Sequence, residues 1–184
     1  YSALEGVIPS HTTQGTRVKR MDIAVFLTAA KAYPPPQNPD GTQMRFSYGT
    51  AGFRTVGTTL NSTVFRSGAL AAVRSRVTGR ACGIVITASH NPEFDNGIKL
   101  VDCTGGMLPT SWEADAESLA NAESDDEMKR VLEKLLALDE PAESLHPPPP
   151  PGLDAGNIPY VFLARDTRPT GPELAKAALA GAKA

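Results

Sequence analysis

Cysteine is nearly absent from this chain of 184 residues: only Cys82 and Cys103 occur. They show no Cys-x-x-Cys spacing and no flanking histidines, which excludes the usual zinc-site pattern and a disulfide framework. A reducing compartment fits that usage, and a cytoplasmic location is expected. An excess of one charge is also lacking. Eighteen Lys and Arg face 20 Asp and Glu, for a net charge of -2, and the basic residues are scattered, so no nucleic-acid partner is expected. Long hydrophobic runs are missing as well. The most apolar stretch, Met21 to Ala30 (MDIAVFLTAA), has about ten residues where a membrane span needs about 20. It follows Arg17, Lys19 and Arg20 as a signal core would, but it is internal and precedes Tyr33-Pro34-Pro35-Pro36, so neither a leader nor a membrane anchor is expected.

What remains is an ordinary globular composition, 41% hydrophobic and 21% charged, long enough for one domain with a substantial core and too short for two full-sized ones. Residues 1–47 read as an irregular N-terminal segment. From Glu5 to Phe46 the sequence mixes Thr, Gly, Pro and Gln without a sustained period, and only the apolar stretch interrupts it. Organisation begins with Tyr48-Gly49-Thr50-Ala51-Gly52-Phe53-Arg54, a glycine-bearing turn that leaves Arg54 close to it.

Asn61 or Ser62 is placed to cap an amphipathic helix with Phe65, Ala69, Ala72 and Val73 on one face and Gly79 at its end. Ile84-Val85-Ile86 reads as a strand covered on both faces, and Ile98-Lys99-Leu100-Val101 as a second strand before the turn Thr104-Gly105-Gly106. Capping boxes are expected at Thr110 with Glu113 and at Ser124 with Glu127, the second opening a helix with Met128, Val131, Leu132 and Leu135 on its apolar side. Pro147 to Pro151 must be extended polyproline, a surface excursion over 141–157 that also matches a proline-binding partner's ligand. Tyr160 to Ala164 is another strand. It runs into Arg165-Asp166-Thr167-Arg168-Pro169, and Pro172 starts a last helix. Helices alternating with buried strands indicate an α/β layer architecture.

Ser89, His90, Asn91 and Pro92 directly follow the first buried strand, where open α/β sheets place their sites. Acyl transfer by a Ser-His pair is disfavoured, because neighbouring side chains in an extended segment point to opposite sides and no Gly-x-Ser-x-Gly elbow is present. A serine that carries phosphate asks instead for cations and loop N–H groups around it. Arg54, His90, Lys99, Arg165 and Arg168, all at turns or strand ends, offer that charge.

The stretch TASHNPEFDNGIK resembles the active-site serine loop of the α-D-phosphohexomutases, and within them the branch acting on N-acetylglucosamine phosphates. YSAL at 1–4, YGTAGFR at 48–54, TASHNPEFDNGIKLVDCTGGML at 87–108 and RDTRP at 165–169 carry the likeness in family order. The LANAE run within 112–132 adds to it. The resemblance implies a three-layer α/β/α first domain with a mixed sheet over 48–184, incomplete at its C-terminal end. It further implies interconversion of N-acetylglucosamine 6-phosphate and 1-phosphate, a phosphosugar substrate and Mg²⁺. Ser89 would be the phosphoserine and, through its phosphate, a metal ligand. Arg54 and Lys99 would serve proton transfer and phosphate stabilisation, His90 would contact the transferring phosphate, and Thr50, Asn91, Arg165 and Arg168 would bind substrate or phosphate. The family's metal-binding Asp loop and sugar-binding domains are not found, so a fragment is expected, with an open sheet edge where a final strand would pair. Glu5 to Phe46 and the polyproline run are longer than the family pattern and read as lineage insertions or translated non-coding sequence. Another hexose or hexosamine phosphate as substrate, or a noncatalytic binding product, are the competing readings.

Overall fold

The computed structural model describes residues 7–9, 21–138 and 160–184. Five strands form one mixed sheet: β1 (Val7–Pro9), β2 (Phe53–Val56), β3 (Cys82–Ile86), β4 (Asp95–Val101) and β5 (Tyr160–Arg165), in the order β1-β5-β3-β4-β2. β3 and β5 are parallel neighbours, with Ile86 in register with Arg165, and the other pairings are antiparallel. The helices are α1 (Ile23–Ala30), α2 (Asn61–Thr78), α3 (Thr110–Asn121), α4 (Asp125–Leu136) and α5 (Gly171–Lys183). The α/β architecture with a mixed sheet is thus the one expected. Polyproline 147–151, the excursion 141–157 and YSAL at 1–4 lie outside the described residues.

The buried strand face carries Cys82, Ile84, Ile86, Ile98, Leu100, Val161 and Leu163. β3 alternates between buried and half-buried positions. Its apolar run is therefore one core face plus Gly83 and Val85 on the other side, not a strand sealed on both faces.

α2 departs from the amphipathic reading. It is buried without interruption from Ser62 to Ser75, because α5 and the sheet flank it and α1, α3 and α4 pack on the rest. Small residues make that possible. Gly68 meets α5 so closely that a Cβ there would lie 2.0 Å from the Ala178 carbonyl oxygen, and one on Gly181 would lie 1.7 Å from that of Phe65. Two buried arginines on α2 find partners inside the protein, although Arg66 Nε has none. Arg66 Nη1 donates to the carbonyls of Leu119, Ala120 and Ala122 at 2.9–3.0 Å. Arg74 pairs with Asp102 at 2.8 Å and lies 4.7 Å over the Trp112 ring.

Gly79 ends α2 in the left-handed conformation, φ 63°, and Ser124 caps α4 through the Glu127 N–H. Glu127 reaches back one residue further than a standard box, accepting from the Glu123 N–H at 2.7 Å. Neither Asn61 nor Ser62 caps α2. Leu60, fully buried, stands at its start, and its carbonyl accepts from the Val64 N–H. Thr110 is likewise already helical: Pro109 precedes α3 without a side-chain cap, and the first turn is fixed by buried Trp112.

The largest correction concerns residues 5–46. Within them Val7–Pro9 pairs with β5, occupying for three residues the edge expected to be open. Asp22 caps α1 through the N–H groups of Ala24 and Val25. Phe26 is fully buried, stacking on Phe65 at 5.3 Å, while Tyr33 stacks on the same ring at 4.5 Å. Ile23–Ala30 is apolar at every position but Thr28, so it has no polar face to show a helical period, and only an apolar interruption of a loop could be read there.

Two stability tests follow. Phe26→Ala is expected to lower unfolding free energy by about 3–5 kcal/mol, as for a buried aromatic, where a loop residue would change it by under about 0.5 kcal/mol; urea titration distinguishes them. Burial pushes the Asp102 carboxyl up, but the Arg74 hydrogen bond and charge pull it further down, leaving it below the ordinary carboxylate range. A folded-state pKa below the unfolded one stabilises at higher pH, so this contribution is complete above about pH 4 and fades as pH falls through the folded value. The stability gap between the wild type and Asp102→Asn, followed by urea midpoint against pH, should close on acidification below that point.

Candidate active site

The parallel pairing of β3 and β5 makes both strands end at one edge of the sheet, so the loops that follow them lie side by side. The Asp166 N–H continues the ladder by donating to the Ile86 carbonyl at 3.1 Å. On the β3 side the chain turns at Ser89, an exposed residue in the left-handed region at φ 50°, the one non-glycine with positive φ among the described residues. That conformation costs a non-glycine residue about 1–2 kcal/mol, and such strain concentrates at functional positions.

Hydrogen bonds hold the strained turn on both sides. The Ser89 N–H donates to Thr87 Oγ1 at 3.1 Å, and Thr87 Oγ1 donates to Asp166 Oδ2 at 2.7 Å. The Ser89 carbonyl accepts from Arg168 Nη2 at 3.0 Å. Asn91 braces the loop from within: its N–H donates to the Ala88 carbonyl, its Nδ2 to Asp95 Oδ2 at 2.9 Å, and its Oδ1 accepts from Arg54 Nη1 at 3.3 Å.

Arg54 reaches this loop from β2, where it pairs with Gly97 of β4. Paired residues share a face, so Arg54 and Lys99, two positions on from Gly97, lie on the same side of the sheet, opposite the core. A Cβ on Gly97 would stand 2.7 Å from the Phe53 carbonyl oxygen and 2.9 Å from that of Thr87. Arg54 Nε is buried without an acceptor, and Lys99 is half-buried.

The structure therefore brings Ser89, Asn91, Arg54 and Arg168 together and sets Lys99 on the adjoining face. His90 is exposed beside Ser89, and Thr50 is exposed on the turn before β2. Arg165 Nη1 donates to the Asp166 carbonyl at 3.1 Å, within its own turn. Two expected phosphate ligands have other work: Arg168 donates to the serine loop and to Asp166, and Asn91 accepts from Arg54 and donates to Asp95. Thr87 and Asp166 were missed as site residues. The signal for them was a Thr and an Asp each one residue past a strand end, since both side chains can bind neighbouring backbone.

Among the described residues no group of three or more His, Cys, Asp and Glu could hold a metal ion. The nearby carboxylates are committed, Asp95 to Asn91 and Asp166 to Thr87 and Arg168. Magnesium needs several oxygen ligands in near-octahedral geometry, and these residues do not by themselves supply them. Both thiols are pushed above their ordinary range, Cys82 and Cys103 alike chiefly by burial, which keeps them protonated at neutral pH and out of nucleophilic chemistry.

Residues 47–127 match the family model described as phosphoglucomutase/phosphomannomutase, alpha/beta/alpha domain I. The chain belongs to the α-D-phosphohexomutase superfamily. It is 46% identical over 141 residues to phosphoacetylglucosamine mutase of Oryza sativa subsp. japonica, a match covering 76% of this chain and 23% of the relative. Its fold is similar to that of an N-acetylglucosamine-phosphate mutase in the apo form, with TM-score 0.70 and 35% identity over 89% of this chain and 32% of that one. It is also similar to Aspergillus fumigatus N-acetylphosphoglucosamine mutase in complex with GlcNAc-6P and magnesium, with TM-score 0.62 and 37% identity over 86% of this chain and 26% of that one. The chain thus spans about a quarter of the length of the curated relative. Among the described residues no helix is long and apolar enough to cross a membrane.

Backbone strain and side-chain chemistry at Ser89 are separable. Ser89→Gly and Ser89→Ala both remove the hydroxyl, yet glycine tolerates φ 50° and alanine does not. The glycine variant should be the more stable of the two by about 1 kcal/mol in urea unfolding.

Proposed function

We propose that this domain supplies the phosphoserine loop of a phosphoacetylglucosamine mutase, which interconverts N-acetylglucosamine 6-phosphate and N-acetylglucosamine 1-phosphate in the cytoplasm on the way to UDP-N-acetylglucosamine. The observation that carries the reading is Ser89 itself: an exposed hydroxyl on a left-handed turn whose N–H and carbonyl are both pinned. A group that must give up and regain a phosphate through many cycles needs that fixed position. Membership of the superfamily and the identity to phosphoacetylglucosamine mutases support the choice of sugar.

In this reading, phospho-Ser89 transfers its phosphoryl group to the free hydroxyl of the sugar monophosphate. The bond between phosphorus and Ser89 Oγ breaks as one to the sugar oxygen forms. The sugar hydroxyl loses its proton and Ser89 Oγ gains one. The resulting bisphosphate turns over and returns its other phosphate to Ser89. Such transfer depends on positioning and positive charge more than on a potent nucleophile. Arg54 supports that charge, since its Nε lacks an acceptor and a buried unsatisfied donor costs about 1–3 kcal/mol; a phosphate on Ser89 would offer one. Lys99, on the same sheet face, is the partner candidate for proton transfer, and His90, beside the serine, for contact with the transferring phosphate. Thr50 and Arg165 are the remaining candidates for substrate contact. Magnesium is expected to act with the phosphoserine, its other ligands coming from residues other than those described.

The test is a coupled assay with N-acetylglucosamine 6-phosphate on the protein as it occurs in its source, together with phosphosite mapping. Phosphate on Ser89, abolished activity in Ser89→Ala and a loss of roughly 100-fold or more in kcat for Lys99→Met would support the reading. Turnover that survives Ser89→Ala would sink it.

A further inference from the structure

We infer that Arg168 is a positioning residue for the phosphoryl transfer, and that with Asp166 and Thr87 it forms a clamp holding Ser89 in its left-handed conformation. The inference rests on the reading of Ser89 as the phosphate carrier and revises the expectation that Arg168 binds phosphate.

A guanidinium has five N–H donors, and every one on Arg168 has an acceptor. Nη1 donates to the carbonyls of Pro92 and Asp95, Nη2 to those of Ser89 and Asn91 at 3.0 and 2.9 Å, and Nε to Asp166 Oδ2 at 3.0 Å. The side chain is 10% exposed. No donor remains for a substrate phosphate. Four carbonyls from a seven-residue span converge on one flat cation, a geometry that a lysine with three donors on a flexible stem cannot reproduce.

Asp166 fixes the clamp at its other end. Oδ1 accepts from the Arg168 N–H at 3.1 Å, while Oδ2 accepts from Arg168 Nε and from Thr87 Oγ1. Thr87 Oγ1 in turn accepts the Ser89 N–H. Both backbone polar groups of Ser89 are therefore tied to the turn after β5, one through Thr87 and one directly. The arrangement offsets the strain at φ 50° and takes up four carbonyl oxygens, the loop groups that would repel a phosphate dianion.

The experiment uses the protein as it occurs in its source, with Arg168→Ala, Arg168→Lys and Asp166→Asn. Two readouts are taken: the split between kcat and KM for N-acetylglucosamine 6-phosphate, and hydrogen exchange of the peptide containing residues 87–95. Faster exchange confined to that peptide is expected in all three variants. A fall in kcat on the order of 100-fold for Arg168→Ala, with KM within about threefold and partial recovery on adding guanidinium, is also expected, Arg168→Lys being intermediate. A tenfold rise in KM at unchanged kcat would make Arg168 a phosphate ligand and overturn the inference. So would wild-type exchange in the 87–95 peptide, or wild-type behaviour of Arg168→Lys, which keeps the charge and replaces Arg168→Ala should that variant fail to fold. Exchange reads the clamp without turnover, so a wild type with no mutase activity would refute the assigned reaction and leave the clamp to stand or fall on that peptide.

Discussion

The contact of α2 with α5 is the constraint from which the remaining geometry descends. Gly68 and Gly181 let the two backbones approach until helix carbonyls meet where side chains would be, and the pair lies against one face of the sheet. With that layer fixed, β3 and β5 run parallel in a single register. Parallel neighbours must release their following loops on the same edge, which is how two segments some 75 residues apart in sequence come to share hydrogen bonds. The Ser89 turn is thus placed by packing that involves none of its own residues.

Polar satisfaction completes what packing begins. Arg66, Arg74 and Arg168 each have guanidinium groups largely out of water, where an unpaired charge would be strongly destabilising. Each is answered differently. Arg66 caps the end of α3, and burial lowers its pKa to about 10; Arg74 meets Asp102 beneath Trp112; Arg168 gathers the carbonyls of the serine loop. One residue type therefore fixes a helix end, a strand end and the Ser89 turn.

Much of this was legible in the sequence where the signal is local. β3, β4, β5, the end of α2 at Gly79 and the Ser124 cap follow from runs and caps spanning a few residues. The position of Ser89 after a buried strand could also be read. Misreadings arose where distant residues decide the outcome. α1 stands out as an apolar run but shows no period that marks it as helix, and it is held by Phe65, almost 40 residues on. α2 looked amphipathic because its polar face is buried under helices that no local period reveals. Arg168 looked like a phosphate ligand because its sequence shows the charge but not the carbonyls that use it.

The Arg66 cap has a consequence for the end of α3. α3 ends without a C-terminal glycine, and the carbonyls of Leu119, Ala120 and Ala122 are satisfied by a side chain 53 to 56 residues earlier. The local stop at the end of α3 is one long bond, from the Ala122 N–H to the Leu119 carbonyl at 3.5 Å, so the corner between α3 and α4 leans on Arg66. Its shape therefore depends on α2, and a residue at position 66 without a long donor side chain would leave the Ala120 and Ala122 carbonyls without the Arg66 partner.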